Sequence, residues 1–463
     1  MADTASKPKP KWLVRLYTIC VIVLLFLTMV VPNSIKELSA AMLFITAGMG
    51  WFLTDFTPPF MRVVRMYGAS VGVTFVYLLV GLMRGSSDQA LFQTLFIYIV
   101  SPGLWILITG GILATFKTDQ LVRLMENYAF LGAASVGVFF YMFLNMGGPE
   151  AVSFFIDPEM ANVNLQEGYS GATMHVFGTM IFVTSALFAM LTIGVVNTKL
   201  LIMLGATAVV AISSGRSALM LSIPIGLAMG MLLRPGLYGQ PSNLIAFAIG
   251  KQVVIAIGAA VAFISILSAL TEIDVFYIIE GFWEELTGGG GSERTNQAAA
   301  LFEGILETFG IGAGHGQGVS YIRSEKYPWR YEIVLLATVY RVGIIGAAIY
   351  AWPFIRYGWG VFETWKQKRL TNFDVFLFAG AFAAFLAAAT NPYIEAYTFH
   401  WMYVMPLTIF MVRFPGTSIF DATPVKRVDR RRKVFAPGQQ VPGYQGHPAR
   451  HGVVRPTSSR SYR

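Results

Sequence analysis

Long apolar stretches alternate with short polar joints along this chain, and the length of the stretches sets their reading. A helix that crosses the hydrocarbon core of a bilayer needs about 20 mostly apolar residues. Twelve stretches of that kind occur, at about 12–31, 37–54, 64–83, 90–116, 127–145, 173–196, 199–213, 217–233, 246–270, 333–353, 373–390 and 399–413. They predict an all-α polytopic membrane protein of about twelve spans. The first stretch follows Lys7, Lys9 and Lys11 in the manner of a secretory signal, but no small-residue cleavage site follows it, which favours an uncleaved first span.

Lys and Arg are retained on the cytoplasmic side of a membrane, so their distribution orients the spans. With the N-terminus inside, the inner joints hold Arg62 and Arg65, Lys117 and Arg123, Lys199, Arg234 and Lys251, and Arg356, Lys366, Lys368 and Arg369. Between Met146 and Thr173 the chain has Glu150, Asp157, Glu159 and Glu167 and no Lys or Arg, as an outer segment should. This arrangement puts both termini in the cytoplasm and two further segments outside. One is the turn Ser213-Ser214-Gly215-Arg216-Ser217; the other is a large loop over 272–331.

That loop carries its own pattern. Phe276, Tyr277, Ile279, Phe282, Trp283 and Leu286 form an apolar stripe with Glu280, Glu284 and Glu285 between them, which predicts an amphipathic helix on the outer interface. The run Gly288 to Gly291 stops it, and Leu301, Ile305 and Phe309 recur at helical spacing in a second helix over Thr295 to Phe309. A glycine-rich stretch from Gly310 to Gly318 follows, in which Gly312 and Gly314 would let the backbone approach a ligand closely.

Composition agrees with membrane insertion and narrows the partners. Hydrophobic residues make up 55% of the chain and charged ones 13%, too few to cover a water-soluble surface of 463 residues. The lone Cys20 rules out a disulfide scaffold. The net charge is +9, of which a surplus of 8 lies from Phe414 onward, where 10 Lys/Arg face only Asp421 and Asp429. The basicity therefore belongs to a Pro-, Gly- and Ser-rich tail, expected to be disordered and drawn to anionic lipid headgroups. Nucleic acid is the rival partner for such a run, but no aromatic platform accompanies it. The domains expected are a cytoplasmic segment 1–11, a transmembrane domain 12–413 containing the outer loop 272–331, and a cytoplasmic basic tail 414–463.

The candidate chemistry lies on the outer face. An arginine beside a membrane is ordinarily a snorkelling or capping residue, and Arg216 alone would carry no more than that reading. Its company changes the reading, because Arg294, Arg323, Arg330 and Arg341 share the outer face or its margin against the inward bias of arginine. Guanidinium forks suit phosphate oxygens, so such a cluster points to a lipid-linked phosphate or pyrophosphate. Arg323 and Arg330 flank Lys326 in polar sequence, where a solvated position is the more ordinary one. Glu332 sits where the loop re-enters the membrane, either as a helix N-terminal carboxylate or as a base for an incoming hydroxyl. Arg341 is nine residues further on and off the face of Glu332. His315 in the glycine stretch could bind a ligand or exchange protons, an exposed loop histidine being commoner; His400, near Glu395 and Tyr397, could join an outer pocket. No His, Cys, Asp and Glu set has metal-ligand spacing. The Gly-x-Gly spacing is no dinucleotide fingerprint, since no strand precedes it.

The turn Ser213-Ser214-Gly215-Arg216-Ser217-Ala218-Leu219 resembles the Ser-Arg-Gly-Ala-Leu-type signature of the O-antigen ligase and polymerase family of bacterial membrane glycosyltransferases. A second block is similar in order and spacing: Arg294 before a helix, then Gly310, Gly312 and Gly314, then Glu332 at re-entry, then Gly343-Ile344-Ile345-Gly346. The resemblance covers roughly 205–355 and implies a GT-C-type fold in the bacterial inner membrane. It implies that Arg216 and Arg294 hold the pyrophosphate of a polyprenyl-linked oligosaccharide; the reading of the residues themselves adds Glu332 as the base that takes the acceptor's proton and Arg341, His315, Arg323, Gly312, Gly314 and His400 as substrate-binding candidates. No metal or other cofactor is called for; chain-length regulators and export proteins are implied as partners. Where the ligase branch commonly has a histidine followed by asparagine, this chain has Tyr331-Glu332, and the departure favours a polysaccharide polymerase over a ligase. A transporter or flippase is the reading from another class, twelve spans being a common transporter count, although transporters place their binding groups near the bilayer midplane.

Overall fold

The computed structural model describes residues 9–145, 161–164, 171–174, 176–195, 198–214, 216–238 and 291–414. In chain order its helices are α1 (Lys11–Met29), α2 (Lys36–Leu53), α3 (Pro58–Met83), α4 (Asp88–Thr115, with a π-helical segment at Leu95–Val100), α5 (Thr118–Asn145), α6 (Val176–Thr192), α7 (Thr198–Ser213), α8 (Ser217–Leu233), α9 (Gly291–Glu307), α10 (Val334–Lys366), α11 (Asn372–Ala387) and α12 (Trp401–Arg413). Eleven of the twelve apolar stretches coincide with helices; the one at 246–270 lies outside the described residues, as do the stripe over 276–286 and the tail beyond Phe414. A short antiparallel hairpin, β1 (Ala161–Asn164) with β2 (Gly171–Met174), departs from the all-helical expectation within the segment read as acidic and outer.

The chain is a predominantly helical, membrane-embedded protein. Among the described residues α1, α3, α4, Ala218–Gly236 and α10 are long and apolar enough to cross a membrane by length and composition. Large apolar side chains such as Ile19, Phe44, Phe52, Phe75, Leu79 and Ile345 face outward, as they would toward lipid. At the centre, every residue of α6 is buried, in keeping with a helix that is apolar all round. It packs against α8 and α11, while α2 packs on α1 and α4. The N-terminus of α11 is fixed by a capping box, in which Thr371 Oγ1 accepts from the Asp374 amide and Asp374 Oδ2 accepts from the Thr371 amide at 2.8 Å.

α10 positions the site. Its sequence was expected to end near 353, but it runs to Lys366, tolerating Pro353 within it. It is also broken at Gly343, whose φ of 68° and ψ of 175° leave the helical region. The carbonyls of Tyr340 and Arg341 there accept instead from the amides of Ala313 and Gly314, at 2.7 and 2.9 Å, and the Ile344 amide donates to the Gly310 carbonyl at 3.0 Å. The glycine stretch is thus stitched into the broken helix. On its other side the His315 amide donates to the Tyr77 carbonyl of α3 at 2.9 Å, and Ser86 Oγ donates to the His315 carbonyl at 2.8 Å.

Candidate functional site

The site is assembled by α9, the loop 308–333 and the start of α10. The glycine run was expected to end one helix before another began at Thr295; α9 instead begins within that run, at Gly291. Arg294 and Gln297 lie three residues apart on one face of α9. Arg294 Nε donates to Glu332 Oε2 at 3.1 Å, and the Glu332 amide donates to Gln297 Oε1 at 2.9 Å. Arg323 Nη2 takes the other carboxylate oxygen, Glu332 Oε1, at 2.7 Å, with Glu293 at 3.9 Å from its Nε. Glu332 therefore lies between two guanidinium groups, one from a helix and one from a loop, and its side chain is 19% exposed. Tyr331, fully buried, anchors the adjoining chain: its hydroxyl accepts from the Val319 amide at 2.7 Å and donates to the Pro328 carbonyl at 3.1 Å.

Arg216 caps the N-terminus of α8 in extended conformation, with its carbonyl accepting from the amides of Leu219 and Met220. Its own amide donates to Ser214 Oγ at 3.1 Å. Its side chain is exposed. Burial pushes the Tyr393 phenol up, the Arg216 charge opposes that rise, and the Glu332 charge adds to it. Tyr393 belongs to a 3-10 turn, Pro392–Glu395, between α11 and α12. The sequence reading passed over it. A proline-opened aromatic and acidic stretch, Asn391-Pro392-Tyr393-Ile394-Glu395, just before a span was the signal available.

Other candidates lie elsewhere. Arg341 is buried in an ion pair with Glu395, and Tyr98 donates to the same carboxylate oxygen at 2.7 Å. Gly312 and Gly314 have φ of 108° and 97°, and their backbone closes on protein rather than on open space. A Cβ on Gly314 would stand 2.4 Å from the Gly81 amide nitrogen, and one on Gly312 would stand 2.5 Å from that of Gly343. His315 is not an exposed loop residue: it is 1% exposed, with Nε2 3.2 Å from the Tyr350 hydroxyl, which is 2.7 Å from Thr74 Oγ1. His400 is also buried, held by Ser101 Oγ at 2.8 Å and the Ile394 carbonyl at 2.9 Å. Arg330 stacks over the Tyr327 ring at 4.7 Å from its centroid. Among the described residues no three His, Cys, Asp or Glu side chains come together as a metal site.

Burial, with the Arg341 charge second, pushes the His315 imidazole down to about 3. The sign follows directly. Its folded value lies below the ordinary 6.5, so the unfolded chain binds the proton more readily, and stability falls as pH drops below about 6.5 toward 3 while it is untouched above. Melting temperatures in detergent should decline over that window, and His315→Gln should flatten part of the decline. At neutral pH His315 is uncharged.

An apolar cavity of about 400 Å³ lies among the helices. Val334, Leu335 and Thr338, two, three and six residues after Glu332, line it, as do Ile394 beside Tyr393 and, further along, Met66, Phe354 and Leu407. The cavity is an apolar slot bounded by α3, α4, α10 and α12, and its lining on α10 begins at Val334, two residues beyond Glu332. Such an arrangement can hold an anionic head while an apolar chain lies among the helices. Compared with known proteins, the chain matches no family model and no curated protein.

Proposed function

We propose that this protein is a membrane glycosyltransferase that joins polyprenyl-pyrophosphate-linked oligosaccharide units into an exported polysaccharide at the outer face of a bacterial inner membrane. In this reading there are about twelve spans, both termini are cytoplasmic, and the fold is of the GT-C type. One observation carries it: Arg294 from a helix and Arg323 from a loop both hold the Glu332 carboxylate. Guanidinium groups from two separate stretches of chain thereby meet on one carboxylate.

The chemistry follows from charge. The acceptor hydroxyl oxygen attacks the anomeric carbon of the donor, the bond from that carbon to the phosphate oxygen breaks, and its electron pair leaves with the lipid pyrophosphate. Negative charge grows on that leaving group, so fixed guanidinium groups stabilise the transition state more than the ground state. A pyrophosphate arriving at Arg294 and Arg323 competes with Glu332 for their N–H groups. Released from them, the Glu332 carboxylate accepts the hydroxyl proton. Direct attack inverts the anomeric carbon. The polyprenyl chain lies in the slot beginning at Val334 and Leu335.

Polymerase and ligase would share this donor site and differ in acceptor. Purified protein given a lipid-linked repeat unit alone should produce a ladder of lengthening products. Extension that begins only when another lipid or protein acceptor is added would make the protein a ligase.

A transporter reading draws on a different observation, the break in α10 beside the buried Arg341 and Glu395, since transporters bind cargo at broken helices. The carbonyls freed by this break are satisfied by Ala313 and Gly314, which favours a structural joint over a cargo site. Ion-coupled flux in vesicles that survives Arg216→Ala would favour transport.

A further inference from the structure

Arg341 and Glu395 are the most deeply buried ion pair among the described residues, at 5% and 7% side-chain exposure, and the proposed chemistry leaves them without a task. A buried pair of this kind is poor evidence of stabilisation, because desolvation offsets the attraction; an apolar set of the same volume often folds as well. What such a pair does supply is a fixed geometry. The guanidinium bonds here in three directions: Nη1 to Glu395 and, at 3.4 Å, to the Tyr98 hydroxyl, and Nη2 to the Trp329 carbonyl.

Those partners sit at telling places. Trp329 is three residues before Glu332, and Glu395 is two residues after Tyr393. Tyr98 belongs to the π-helical segment of α4, stacks on Tyr350 at 5.6 Å between centroids, and donates to the same Glu395 oxygen that Arg341 holds. The π segment, a geometry often found at functional positions, thus aims a hydroxyl into the pair. One side chain therefore ties the segment that carries Glu332 to the segment that carries Tyr393, with α4 as the backing.

We propose that Arg341 is a positioning residue: its bonds to the Trp329 carbonyl and to Glu395 set the spacing between Glu332 and Tyr393 without touching substrate. The significance of that spacing rests on the function proposed above; the clamp itself does not.

The test separates the two. In a Cys20→Ser background, spin labels at Glu325→Cys and Thr390→Cys, both exposed positions, report the distance between the two segments. The parent should give a narrow distribution. Removing the polar cluster as a unit, with Arg341→Met, Glu395→Leu and Tyr98→Phe together, should leave the melting temperature close to the parent's yet broaden that distribution. Turnover of a lipid-linked repeat unit should fall about a hundredfold, as expected when reacting groups lose alignment, with KM unchanged. A distribution that stays narrow in the folded triple variant overturns the proposal. So does a raised KM with unchanged spacing, which would make Arg341 a substrate contact. Should the triple variant fail to fold, Arg341→Lys decides: a point charge that pairs with Glu395 but cannot also reach Trp329 should broaden the distribution, and a narrow one counts against the clamp. Because the distance needs no turnover, broadening with no glycosyl transfer in the parent would leave the clamp standing and discard the enzyme.

Discussion

Arg294→Ala should abolish polymer while leaving the protein level and the lipid-linked repeat unit intact. The side chain is only partly buried, so losing its ion pair with Glu332 costs the fold little, on the order of 0–1 kcal/mol. The cost to the reaction is larger, since removing one preorganised donor from a developing negative charge slows turnover by roughly 10²–10³-fold. Arg216→Ala should behave alike. Arg330→Ala is the matched control: its guanidinium lies over the Tyr327 ring rather than on Glu332, and activity should stay near that of the parent. Quantifying polymer against accumulated lipid-linked unit separates the variants, and full-length polymer from Arg294→Ala would remove Arg294 from the pyrophosphate site.

The second large effect is on the fold. Gly314→Ala places a Cβ 2.4 Å from the Gly81 amide nitrogen and 2.7 Å from the Gly81 Cα, backbone atoms that cannot step aside. An L-residue at φ 97° adds strain of about 1–3 kcal/mol, and overpacking adds a further cost of about 1–3 kcal/mol. The variant should therefore lose several degrees of melting temperature in detergent or fail to accumulate. Gly358→Ala is the comparison, because nothing lies within 4 Å of a Cβ there. If both variants melt alike, the glycine stretch is not seated against α3 as described.

Much of this fold is legible because a bilayer imposes a length on apolar runs, and that length survives in the sequence at Lys11–Met29 or Pro58–Met83 as a long, mostly apolar run. Boundaries are less so. The stretch expected to end near 353 continues as α10 to Lys366, with Pro353 inside it, because the missing amide is tolerated among packed helices. The break at Gly343 was invisible, since its cause lies thirty residues earlier, in the amides of Ala313 and Gly314. At the site, Arg294, Arg323 and Glu332 stand out because charge beside a membrane is costly. Their meeting could not be read, because Arg294 and Glu332 are 38 residues apart and only packing brings them together. Tyr393 escapes notice for the opposite reason: it is an uncharged aromatic in the short joint between two apolar stretches. Gly312, Gly314 and His315 were read as ligand-facing because glycine permits close approach, but sequence does not say what approaches, and here it is α3 and α10.

The seam between the glycine stretch and α10 has a mechanical consequence. With the Tyr340 and Arg341 carbonyls engaged by Ala313 and Gly314, and the Ile344 amide by Gly310, the two halves of α10 cannot hinge at Gly343 without pulling that strip of chain along. Tilting of the upper half would travel at once to Tyr77 on the neighbouring helix through the His315 amide. The border at which this protein can flex therefore does not coincide with the border at which its chain turns from apolar to polar.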